Sequence, residues 1–414
     1  MEENQIHIPE GWEINPLKDL MISKSNKAKQ VKSSEYISSG SYPIIDQSDK
    51  FICGYWDELK NVIFEELPIT VFGDHTRHTK FIDFPFVCGA DGTQLIKPKN
   101  DIDDKFFYFL VCNSAKLIGN HGYDRHFKHL KNFQHLLPKS KTEQTQIATI
   151  LTKVDDAITQ TEQLIAKYTR IKTGLMQDLL TKGIDENGNI RSEETHEFKD
   201  SPLGRIPKEW EVTYVDCLCN EIIVGIVIRP TQYYIESGIP MLRSQNIKEE
   251  GVVMKDLVYM SEFDNHKLSK SKLSENDVVS VRTGYPGTSS VITKGIEGCN
   301  CIDLVISRPN QLLLNSHFLA LFINSELGRK QILNHQSGVA QQHFNVGQMK
   351  ELIIVKLTIN EQLRILNQIN CLNNQLTNFN TNLSKLQSLK TGLMQDLLSG
   401  KVRVNHLIKE TESV

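Results

Sequence analysis

Two stretches of the chain, residues 143–180 and 361–398, repeat mostly apolar residues at spacings that alternate between four and three. Such spacing places these side chains on one stripe of a helix, the seam along which coiled-coil helices pair. Neither stretch contains proline, and each contains one glycine. The pattern predicts two long helices of about 57 Å each. The seam of the first helix comprises Ile147, Leu151, Val154, Ile158, Thr161, Ile165, Tyr168, Lys172, Leu175 and Leu179, and that of the second comprises the residues 218 positions further along.

The two predicted helices are copies of one another. Residues 172–180 and 390–398 both read KTGLMQDLL, and the helices align without a gap at a constant offset of 218. Lys172 and Lys390 therefore occupy the same seam position, where a polar residue lowers stability but fixes the register of the pair. A pair of amphipathic helices implies no function by itself, and this interpretation stays open beside the functional one.

The segments before the helices also correspond, but their offset drifts. Trp12 matches Trp210 at an offset of 198, whereas His126 matches His343 at an offset of 217. Insertions are thus tolerated before the helices and not within them, as expected for a fixed frame that carries two divergent heads. A doubled protein suits a ligand with approximate twofold symmetry, and duplex DNA is the commonest ligand of that kind.

Each head mixes strand and helix signals. Residues 68–72 and 277–282 are rich in β-branched residues, which favours strands. Residues 106–118 and 317–332 are long and apolar enough for buried helices. The predicted fold class is α+β, with two mixed α/β heads joined by two long helices in a tandem repeat. The predicted boundaries are 1–140 for the first head, 141–183 for the first helix, 184–204 for a polar linker, 205–358 for the second head, 359–400 for the second helix and 401–414 for a C-terminal tail.

Charge and cysteine content narrow the functional classes. A formal net charge of −3 excludes a generally basic nucleic-acid coat, so DNA contacts must rely on local basic patches or on a partner. No apolar run approaches the roughly 20 residues of a membrane span. The polar N-terminal sequence is unlike a secretory signal, and eight cysteines without such a signal indicate reduced thiols in the cytoplasm. We interpret Cys217, Cys219, Cys299 and Cys301 as buried or strand thiols, because their spacing differs from that of common zinc sites.

Motifs for catalysis are missing from the sequence. It contains no phosphate-binding loop, no glycine-rich cofactor turn that opens a helix, no amino-methyltransferase element and no convincing nuclease signature. We therefore predict that this chain has no catalytic residues and no metal ligands, and that it binds no cofactor itself.

The first head contains a basic, polar loop after a predicted strand, at residues 73–80. A His-x-x-His pair beside an aspartate can bind metal, but Arg, Lys, His and Thr in one loop are better suited to phosphate contacts and base-edge hydrogen bonds. A solvated polar loop is the alternative. The candidate DNA-binding residues of this loop are His75, Thr76, Arg77, His78 and Lys80.

The second head contains three candidate loops, each of which is also typical of an ordinary protein surface. The first contains Arg, Gln and Asn, which form bidentate bonds to guanine and adenine edges in the major groove. The second follows a strand and ends in a Gly-Tyr-Pro-Gly turn that is expected to project its arginine. The third is a polar loop before the second long helix. The candidates are Arg243, Ser244, Gln245, Asn246, Arg282, Thr283, Gln341, Gln342 and His343.

With these motifs in view, the chain resembles the specificity subunits of type I restriction–modification enzymes. The resemblance covers essentially the whole chain, and the motifs that carry it are KTGLMQDLL in both helices, SPLGRIPKEWEV at the start of the second half, and GDHTR and FVCGADGT in the first head. It implies that the heads are target recognition domains joined by antiparallel helices with pseudo-twofold symmetry. Each domain would read one half of a split, asymmetric DNA sequence, and the helices would set the spacer.

The same resemblance implies partners. The helices would dock two methyltransferase subunits, and restriction/translocase subunits would complete the complex on double-stranded DNA. S-adenosylmethionine, ATP and Mg²⁺ would be used by those partners, and this chain would be a non-catalytic subunit. Two alternatives stay open at this point, namely a structural scaffold whose heads bind protein and a DNA-modifying enzyme with degenerate motifs.

Overall fold

The chain forms two compact units, which comprise residues 1–163 with 380–414 and residues 164–379. Each unit contains one head, the beginning of the long helix that follows this head and the end of the other long helix. None of the described helices combines the length and apolarity needed to cross a membrane. The structure is a computed structural model that describes residues 8–24, 29–65, 67–89, 91–119, 125–334 and 343–408.

The elements of the first half begin at Trp12 and end with a long helix. In chain order they are β1 (Trp12–Pro16), α1 (Leu17–Leu20), β2 (Met21–Lys24), β3 (Tyr42–Ile45), β4 (Gly54–Trp56), β5 (Val62–Ile63), β6 (Ile69–Gly73), β7 (Thr79–Ile82), β8 (Phe86–Cys88), β9 (Thr93–Pro98), α2 (Asp104–Leu117), α3 (Phe127–Leu130), β10 (Gln134–Pro138) and α4 (Lys141–Thr181).

Two four-stranded sheets form the first head. One is antiparallel, with strand order β2-β9-β6-β7. The other has order β4-β3-β8-β5 and contains one parallel pair, β3 with β8. β1 pairs antiparallel with β10, from Trp12 opposite Pro138 to Pro16 opposite Gln134. This pair joins the entry of the head to the strand that precedes α4.

Helix α2 supplies much of the core of the first unit. Asp103 caps this helix and accepts hydrogen bonds of 2.8–3.0 Å from two amides of its first turn, a cap that contributes about 1 kcal/mol. Phe106 and Phe109 are fully buried. Ile147 of α4 and Leu397 in the second long helix belong to the same cluster. The first buried helix that the sequence predicts is therefore confirmed.

The second half repeats this succession and adds a hairpin before it. In chain order its elements are β11 (Phe198–Ser201), β12 (Gly204–Pro207), β13 (Glu211–Tyr214), β14 (Cys219–Val224), β15 (Ile239–Leu242), β16 (Ile247–Lys248), β17 (Gly251–Val252), β18 (Val258–Met260), α5 (Glu262–Lys267), β19 (Val278–Val281), β20 (Ser289–Val291), β21 (Asn300–Cys301), β22 (Leu304–Pro309), α6 (Ser316–Asn324), α7 (Glu326–Asn334), α8 (Val346–Lys350), β23 (Ile353–Lys356) and α9 (Ile359–Leu398).

The second head repeats most of the strand topology of the first, but its second sheet has three strands and not four. Its antiparallel sheet has order β14-β22-β19-β20, and its second sheet has order β18-β15-β21 with β15 parallel to β21. β13 pairs antiparallel with β23, as β1 pairs with β10. The two hairpins β11–β12 and β16–β17 complete the head. The heads therefore share one architecture although their sequences have drifted apart.

The second predicted buried helix is interrupted, so the prediction of one continuous helix is wrong. Ser325 lies between α6 and α7 in an extended conformation with ψ of 165°. Its hydroxyl donates to the Phe322 carbonyl (2.6 Å) and accepts from the Gly328 amide (3.2 Å), which caps α7. A Cβ at Gly328 would lie 2.3 Å from the Phe322 oxygen, so glycine allows α7 to start close against the end of α6.

Helices α4 and α9 pack along the predicted seam. Every predicted seam residue of both helices is buried or partly buried, whereas most other residues near the middle of each helix are exposed. Within the first unit the helices run antiparallel, since Glu143 near the start of α4 meets Arg403 beyond the end of α9 and Asp155 meets Lys390. The predicted α+β fold with a pair of long helices is therefore confirmed.

The two seam lysines differ in their surroundings. The Lys390 ammonium lies 2.5 Å from the Asp155 carboxylate. The residue equivalent to Asp155 in α9 is Asn373, so Lys172 cannot form the matching ion pair. A charge pair at the seam supports a register role for Lys390, and the register role of Lys172 stays a prediction.

A cluster that we call the first clasp (Trp12, Glu143, Gly400 and Arg403) ties the first unit together. Glu143 is buried and accepts hydrogen bonds of 2.7 and 2.9 Å from the Arg403 guanidinium. Arg403 also covers the Trp12 ring, with its guanidinium carbon 5.6 Å from the ring centre. Gly400 has a φ of 71°, and a Cβ there would lie 3.1 Å from the Trp12 ring. The Glu143 hydrogen bond raises the pKa of Arg403.

The second clasp (Trp210, Glu361, Gly183 and Arg191) repeats this arrangement in the second unit. The Arg191 guanidinium pairs with the buried Glu361 and lies 5.8 Å from the Trp210 ring centre. Gly183 has a φ of 70°, and a Cβ there would overlap the Trp210 ring at 2.2 Å. The two clasps explain why the IPxxW segments and the first turns of both long helices recur in the sequence.

Residues 184–204, predicted as a polar linker, are packed into the second unit. Ile184 and Leu203 are buried in its main core, and Arg191 belongs to the second clasp. Composition predicted a connector because the segment is polar, but Ile184, Leu203 and Arg191 face inward.

The cysteine interpretation is confirmed for one pair and wrong in part for the other. Cys299 and Cys301 are buried, and burial raises the pKa of the Cys219 thiol to about 12. Cys217 is exposed instead, because it lies in a 3₁₀ turn (Val215–Leu218) between two strands.

Candidate nucleic-acid interface

Two loops come together at the same place in each head. In the first head, the loop after β3 meets the loop between β6 and β7. In the second head, the loop after β15 meets the loop between β19 and β20. The two places are equivalent because β3 and β15 each belong to a parallel pair, and each hairpin forms the edge of the antiparallel sheet. Most of the candidate residues lie in these loops.

Gln47 organises the site in the first head. Its side-chain oxygen accepts a hydrogen bond from the His75 amide at 3.1 Å, and its carbonyl accepts from the Thr76 hydroxyl. Its side-chain nitrogen donates to the Asp91 carbonyl at 2.7 Å. A Cβ at Gly92 would lie 2.7 Å from the His75 ring, so glycine lets this turn approach the loop. The structure thus brings the GDHTR and FVCGADGT motifs together.

The two histidines of this loop face outward, and the aspartate beside them faces inward. His75 and His78 are exposed. The Asp74 carboxylate is buried and accepts a hydrogen bond from the Phe127 amide at 2.8 Å. Across the described ranges, no group of three or more His, Cys, Asp and Glu side chains is arranged to hold a metal ion. Asp74 anchors the loop, and the histidines are left at the surface.

Arg77 ties the loop to the end of α2. Its backbone is in the left-handed region with φ of 65°, and its guanidinium donates to the Ile118 carbonyl at 2.6 Å. The side chain is only partly exposed. We therefore assign Arg77 a positioning role in addition to any phosphate contact made by its remaining donors.

The structure contradicts the prediction that Lys80 contacts DNA. Its side chain is buried, and the ammonium group donates to the carbonyls of Asp46 (2.8 Å) and Lys50. Burial lowers the pKa of this ammonium. The sequence suggested a surface lysine because it adjoins a polar loop, but its position in β7 points the side chain inward between two turns.

The structure also contradicts the prediction that Asn246 contacts DNA, because its side chain bonds to the backbone of its own loop. It is buried, and its side-chain nitrogen donates to the carbonyls of Val253 and Lys255, both at 2.9 Å. Its oxygen accepts from the Arg243 amide at 3.0 Å. Asn bonding to backbone groups of this kind is common in turns. The amide is therefore not free for an adenine edge.

Arg243 and Gln245 share one acceptor. The Arg243 guanidinium donates to the Asp256 carbonyl at 2.6 Å, and the Gln245 side-chain nitrogen donates to the same oxygen at 3.2 Å. Gln245 is exposed, whereas Arg243 and Ser244 are partly exposed. Gln245 keeps its side-chain oxygen and one N–H for an external partner, so it is the better placed of the two for base contact.

The Gly-Tyr-Pro-Gly turn projects its tyrosine and not the preceding arginine. Arg282 pairs with Asp303, and the Thr283 hydroxyl donates to the same carboxylate at 3.3 Å. Tyr285 stands between Gly284 and Gly287, which both have positive φ, and is 82% exposed. The expectation that the turn projects Arg282 is wrong, because the carboxylate of Asp303 holds this side chain back.

These two loops of the second head line one cleft of about 690 Å³. Ser244 and Gln245 contribute from one loop, and Thr283 and Tyr285 from the other. Arg329 of α7 also lines the cleft and pairs with Glu249. A tyrosine ring, an amide and hydroxyl groups around one concave surface can stack on or hydrogen-bond to a base edge.

The third loop of the second head lies mostly beyond what the structure describes. Gln341 and Gln342 fall outside the described residues. His343 is exposed, and the next residue, Phe344, is buried with its amide bonded to the Arg282 carbonyl at 2.9 Å. This bond places His343 beside the second candidate loop.

Sequence reasoning missed Gln47, Tyr285 and Arg329. Tyr285 could have been found, since a residue flanked by glycines in a tight turn is projected outward. Gln47 and Arg329 carry no such local signal, because their importance depends on loops and elements distant in sequence.

Comparisons with known proteins support the family resemblance that the sequence motifs indicate. A family model described as type I restriction modification DNA specificity domain matches residues 9–170. The specificity subunit of the type I restriction enzyme MjaVIII from Methanocaldococcus jannaschii is 22% identical over 427 aligned positions, which cover 98% of this chain and 96% of that protein. The EcoBI specificity subunit of Escherichia coli is 20% identical, over 76% of this chain and 67% of that protein.

The fold is also that of a solved relative. The crystal structure of the S subunit of a type I restriction–modification system from M. genitalium matches with a TM-score of 0.60 at 15% identity, over 96% of this chain and 98% of that chain. At this identity the likeness concerns the fold alone, and it extends over both heads and both long helices.

Proposed function

We propose that the chain is a specificity subunit of a type I restriction–modification enzyme, as its similarity to such subunits supports, and that it reads a split DNA sequence, with one head for each half-site. The observation that supports this assignment is that an equivalent pair of loops converges in both heads. The loops share their place in the fold but differ in their residues. That combination is expected of two readers that contact different bases in a similar geometry.

The two heads present different chemistry at this place. In the first head we assign base-edge contacts to His75 and His78, whereas the Thr76 hydroxyl donates to the Gln47 carbonyl and positions the loop. In the second head we assign them to Gln245, with Tyr285 stacking or contacting a thymine methyl group. An exposed glutamine amide can make a bidentate contact to adenine, worth about 1–3 kcal/mol of discrimination.

The arginines position the loops and contribute phosphate contacts. Arg77 and Arg243 each donate one hydrogen bond to a backbone carbonyl, and Arg282 is paired with Asp303. A guanidinium has five N–H donors, so each of these arginines has more donors than these contacts use. With a net charge of −3 the chain needs additional contacts from a partner for tight DNA binding.

We further propose that this chain is a non-catalytic subunit of the complex. Two methyltransferase subunits dock on the long helices, and restriction/translocase subunits complete the assembly. S-adenosylmethionine, ATP and Mg²⁺ are then bound by those partners and not by this chain. The interpretation rests on the family and on the absence of catalytic sequence motifs.

The test is to sequence modified bases in the host genome with the gene intact, deleted or altered. Deletion is expected to remove one split, asymmetric methylation motif. Gln245→Ala is expected to relax one base position in one half-site and to leave the other half-site unchanged. Gln368→Ala is the matched control, because Gln368 is an exposed glutamine of α9 in the same unit but outside both loops. An unchanged set of motifs after deletion contradicts the proposed function.

A further inference from the structure

A third loop of the second head, residues 225–229, leaves the antiparallel sheet at the same end as the candidate site. Val224 at the end of β14 lies opposite Val305 near the start of β22. On the other side of β22, Val281 at the end of β19 lies opposite Leu304. The loop after β14 and the loop between β19 and β20 therefore emerge on either side of one strand start.

Asp303 joins this third loop to the candidate site. Its amide donates to the Ile226 carbonyl at 3.1 Å. Its carboxylate pairs with Arg282 and accepts a hydrogen bond of 3.3 Å from the Thr283 hydroxyl. Because one residue bonds to both loops, residues 225–229 lie directly beside the loop that lines the cleft.

The third loop presents two apolar side chains to solvent. Ile226 is buried in a small cluster with Met241 and Ile302, which fixes the base of the loop. The next two residues point away from this anchor, since Val227 is 46% exposed and Ile228 is 75% exposed. A single exposed apolar side chain is common on protein surfaces. Ile228 becomes informative because of the residue that follows it.

Arg229 is the arginine of the second head whose guanidinium forms no hydrogen bond or ion pair within the part of the chain that the structure describes. The head contains six arginines. The other five are held by a carboxylate or a backbone carbonyl, namely Arg205, Arg243, Arg282, Arg308 and Arg329. All five N–H donors of Arg229 therefore remain available to an external acceptor.

The backbone turns sharply at Arg229 and holds the tip of the loop in place. Its φ of 41° and ψ of 56° lie in the left-handed region. Pro230 disfavours the right-handed helical region for the residue before it, and it begins a 3₁₀ turn, Pro230–Tyr233. The Gln232 amide donates to the Arg229 carbonyl at 3.1 Å and closes this turn. Ile228 thus projects between a buried anchor and a closed turn.

A DNA duplex is the occupant that this combination fits. Proteins that deform DNA through the minor groove insert an apolar side chain, isoleucine among them, between neighbouring base pairs and place arginine or lysine beside it. A hydrophobic protein surface would match Ile228 but would also bury the charge of Arg229, which is unfavourable without a partner. The loop also lies beside the surface to which we assign base contacts.

We propose that Ile228 is a wedge that enters the minor groove at the half-site of the second head, while Arg229 binds the adjacent phosphate. This inference rests on the proposed function, and it adds the deformability of the DNA to the base contacts of the cleft. Insertion separates two stacked base pairs and kinks the duplex by about 20–90°. Pyrimidine–purine steps unstack most easily, so the head selects such a step without contacting its base edges.

The test measures the bend of a short duplex that carries the cognate site and one fluorophore at each end. It is bound to the full chain in complex with its methyltransferase subunits, and the site is the methylation motif that gene deletion removes. The wild-type complex is expected to shorten the distance between the fluorophores. Ile228→Ala is expected to remove most of the kink and to weaken cognate binding roughly tenfold. Ile228→Met keeps a long apolar side chain and is expected to retain the kink.

Leu312→Ala is the matched control. Leu312 is 85% exposed and follows the end of β22 at Pro309, whereas Asp303 precedes its start. The six residues of this strand separate the two places by roughly 20 Å. The control is expected to leave both the bend and the affinity unchanged. Arg229→Gln is expected to reduce the slope of log affinity against log salt concentration by about one, for cognate and non-cognate DNA alike.

The outcomes separate the wedge from the proposed function. A cognate duplex that the wild-type complex leaves straight, or that Ile228→Ala kinks equally, would overturn the wedge and leave the proposed function intact. Loss of methyltransferase subunits from the Ile228→Ala chain would identify the loop as a protein contact and would also overturn the wedge. A wild-type complex that binds no split DNA sequence would overturn the proposed function together with the wedge.

Discussion

Replacing Arg403 with alanine removes the cation of the first clasp and leaves the Glu143 carboxylate buried without it. Glu143 is 3% exposed and Arg403 is 30% exposed. Removing one partner of a buried ion pair costs about 3–5 kcal/mol, and the partial exposure of Arg403 places the expected loss near the lower end, at about 3 kcal/mol. Arg403→Lys retains the charge but not the two parallel hydrogen bonds, so its loss should be intermediate.

The fluorescence of Trp12 reports on this clasp directly. The chain has three tryptophans, so replacement of Trp56 and Trp210 by phenylalanine in every variant leaves Trp12 as the reporter of denaturant unfolding. The control is Lys60→Ala, which removes an ion pair with Glu58 whose side chains are 77% and 56% exposed. Such a pair contributes about 0–1 kcal/mol. A loss for Arg403→Ala no larger than that for Lys60→Ala would refute the clasp as a stabilising element.

Three further predictions follow from the site, the core and the helices. Tyr285→Ala should weaken binding of the assembled complex to its cognate site roughly tenfold at one half-site, whereas Phe263→Ala, which removes an aromatic ring of similar exposure outside the cleft, should leave binding unchanged. Burial lowers the pKa of His135 from 6.5 to about 4. Between these pH values the unfolded chain binds a proton that the folded chain does not bind, so the free energy of unfolding should fall by up to about 3 kcal/mol as the pH drops from 6.5 to 4. The slope of the denaturation midpoint against pH should flatten in His135→Ile. Deleting the equivalent heptads 161–167 and 379–385 together should shorten the methylated motif's spacer by about three base pairs, and deleting either alone should prevent assembly.

The long helices were predictable because their packing depends on a short local period. The seam residues from Ile147 to Leu179 were assigned from spacing alone, and all of them are buried or partly buried. The strand pairing within the heads was not predictable from local sequence patterns. β9 lies between β2 and β6 in the sheet, and β3 pairs with β8, so the pairing depends on residues far apart in the sequence. No local pattern specifies which of the short strands become neighbours.

The candidate site was likewise predictable only in part. Composition identified loops that line the candidate site, but it could not tell which polar side chains are used inside the protein. Lys80 is held by the Asp46 carbonyl, 34 residues away, and Arg282 by Asp303, 21 residues away. A polar side chain in a loop can contact a ligand only with donors and acceptors that no distant backbone or carboxylate group already binds. That information exists only in the folded chain.

The internal repeat separates residues by the kind of partner they meet. The clasps repeat because the start of a long helix packs against a tryptophan and an arginine in both units, so Glu143 and Glu361 are buried in the same way. The loops of the heads keep their place in the topology while their residues change, as an asymmetric DNA target requires. Gly174 and Gly392 in the long helices belong to neither class, since they are exposed or partly exposed and yet unchanged between the two halves. A glycine within a helix costs about 1 kcal/mol relative to alanine, and a Cβ at either position would meet nothing within 4 Å, so packing against the described residues does not account for this repetition.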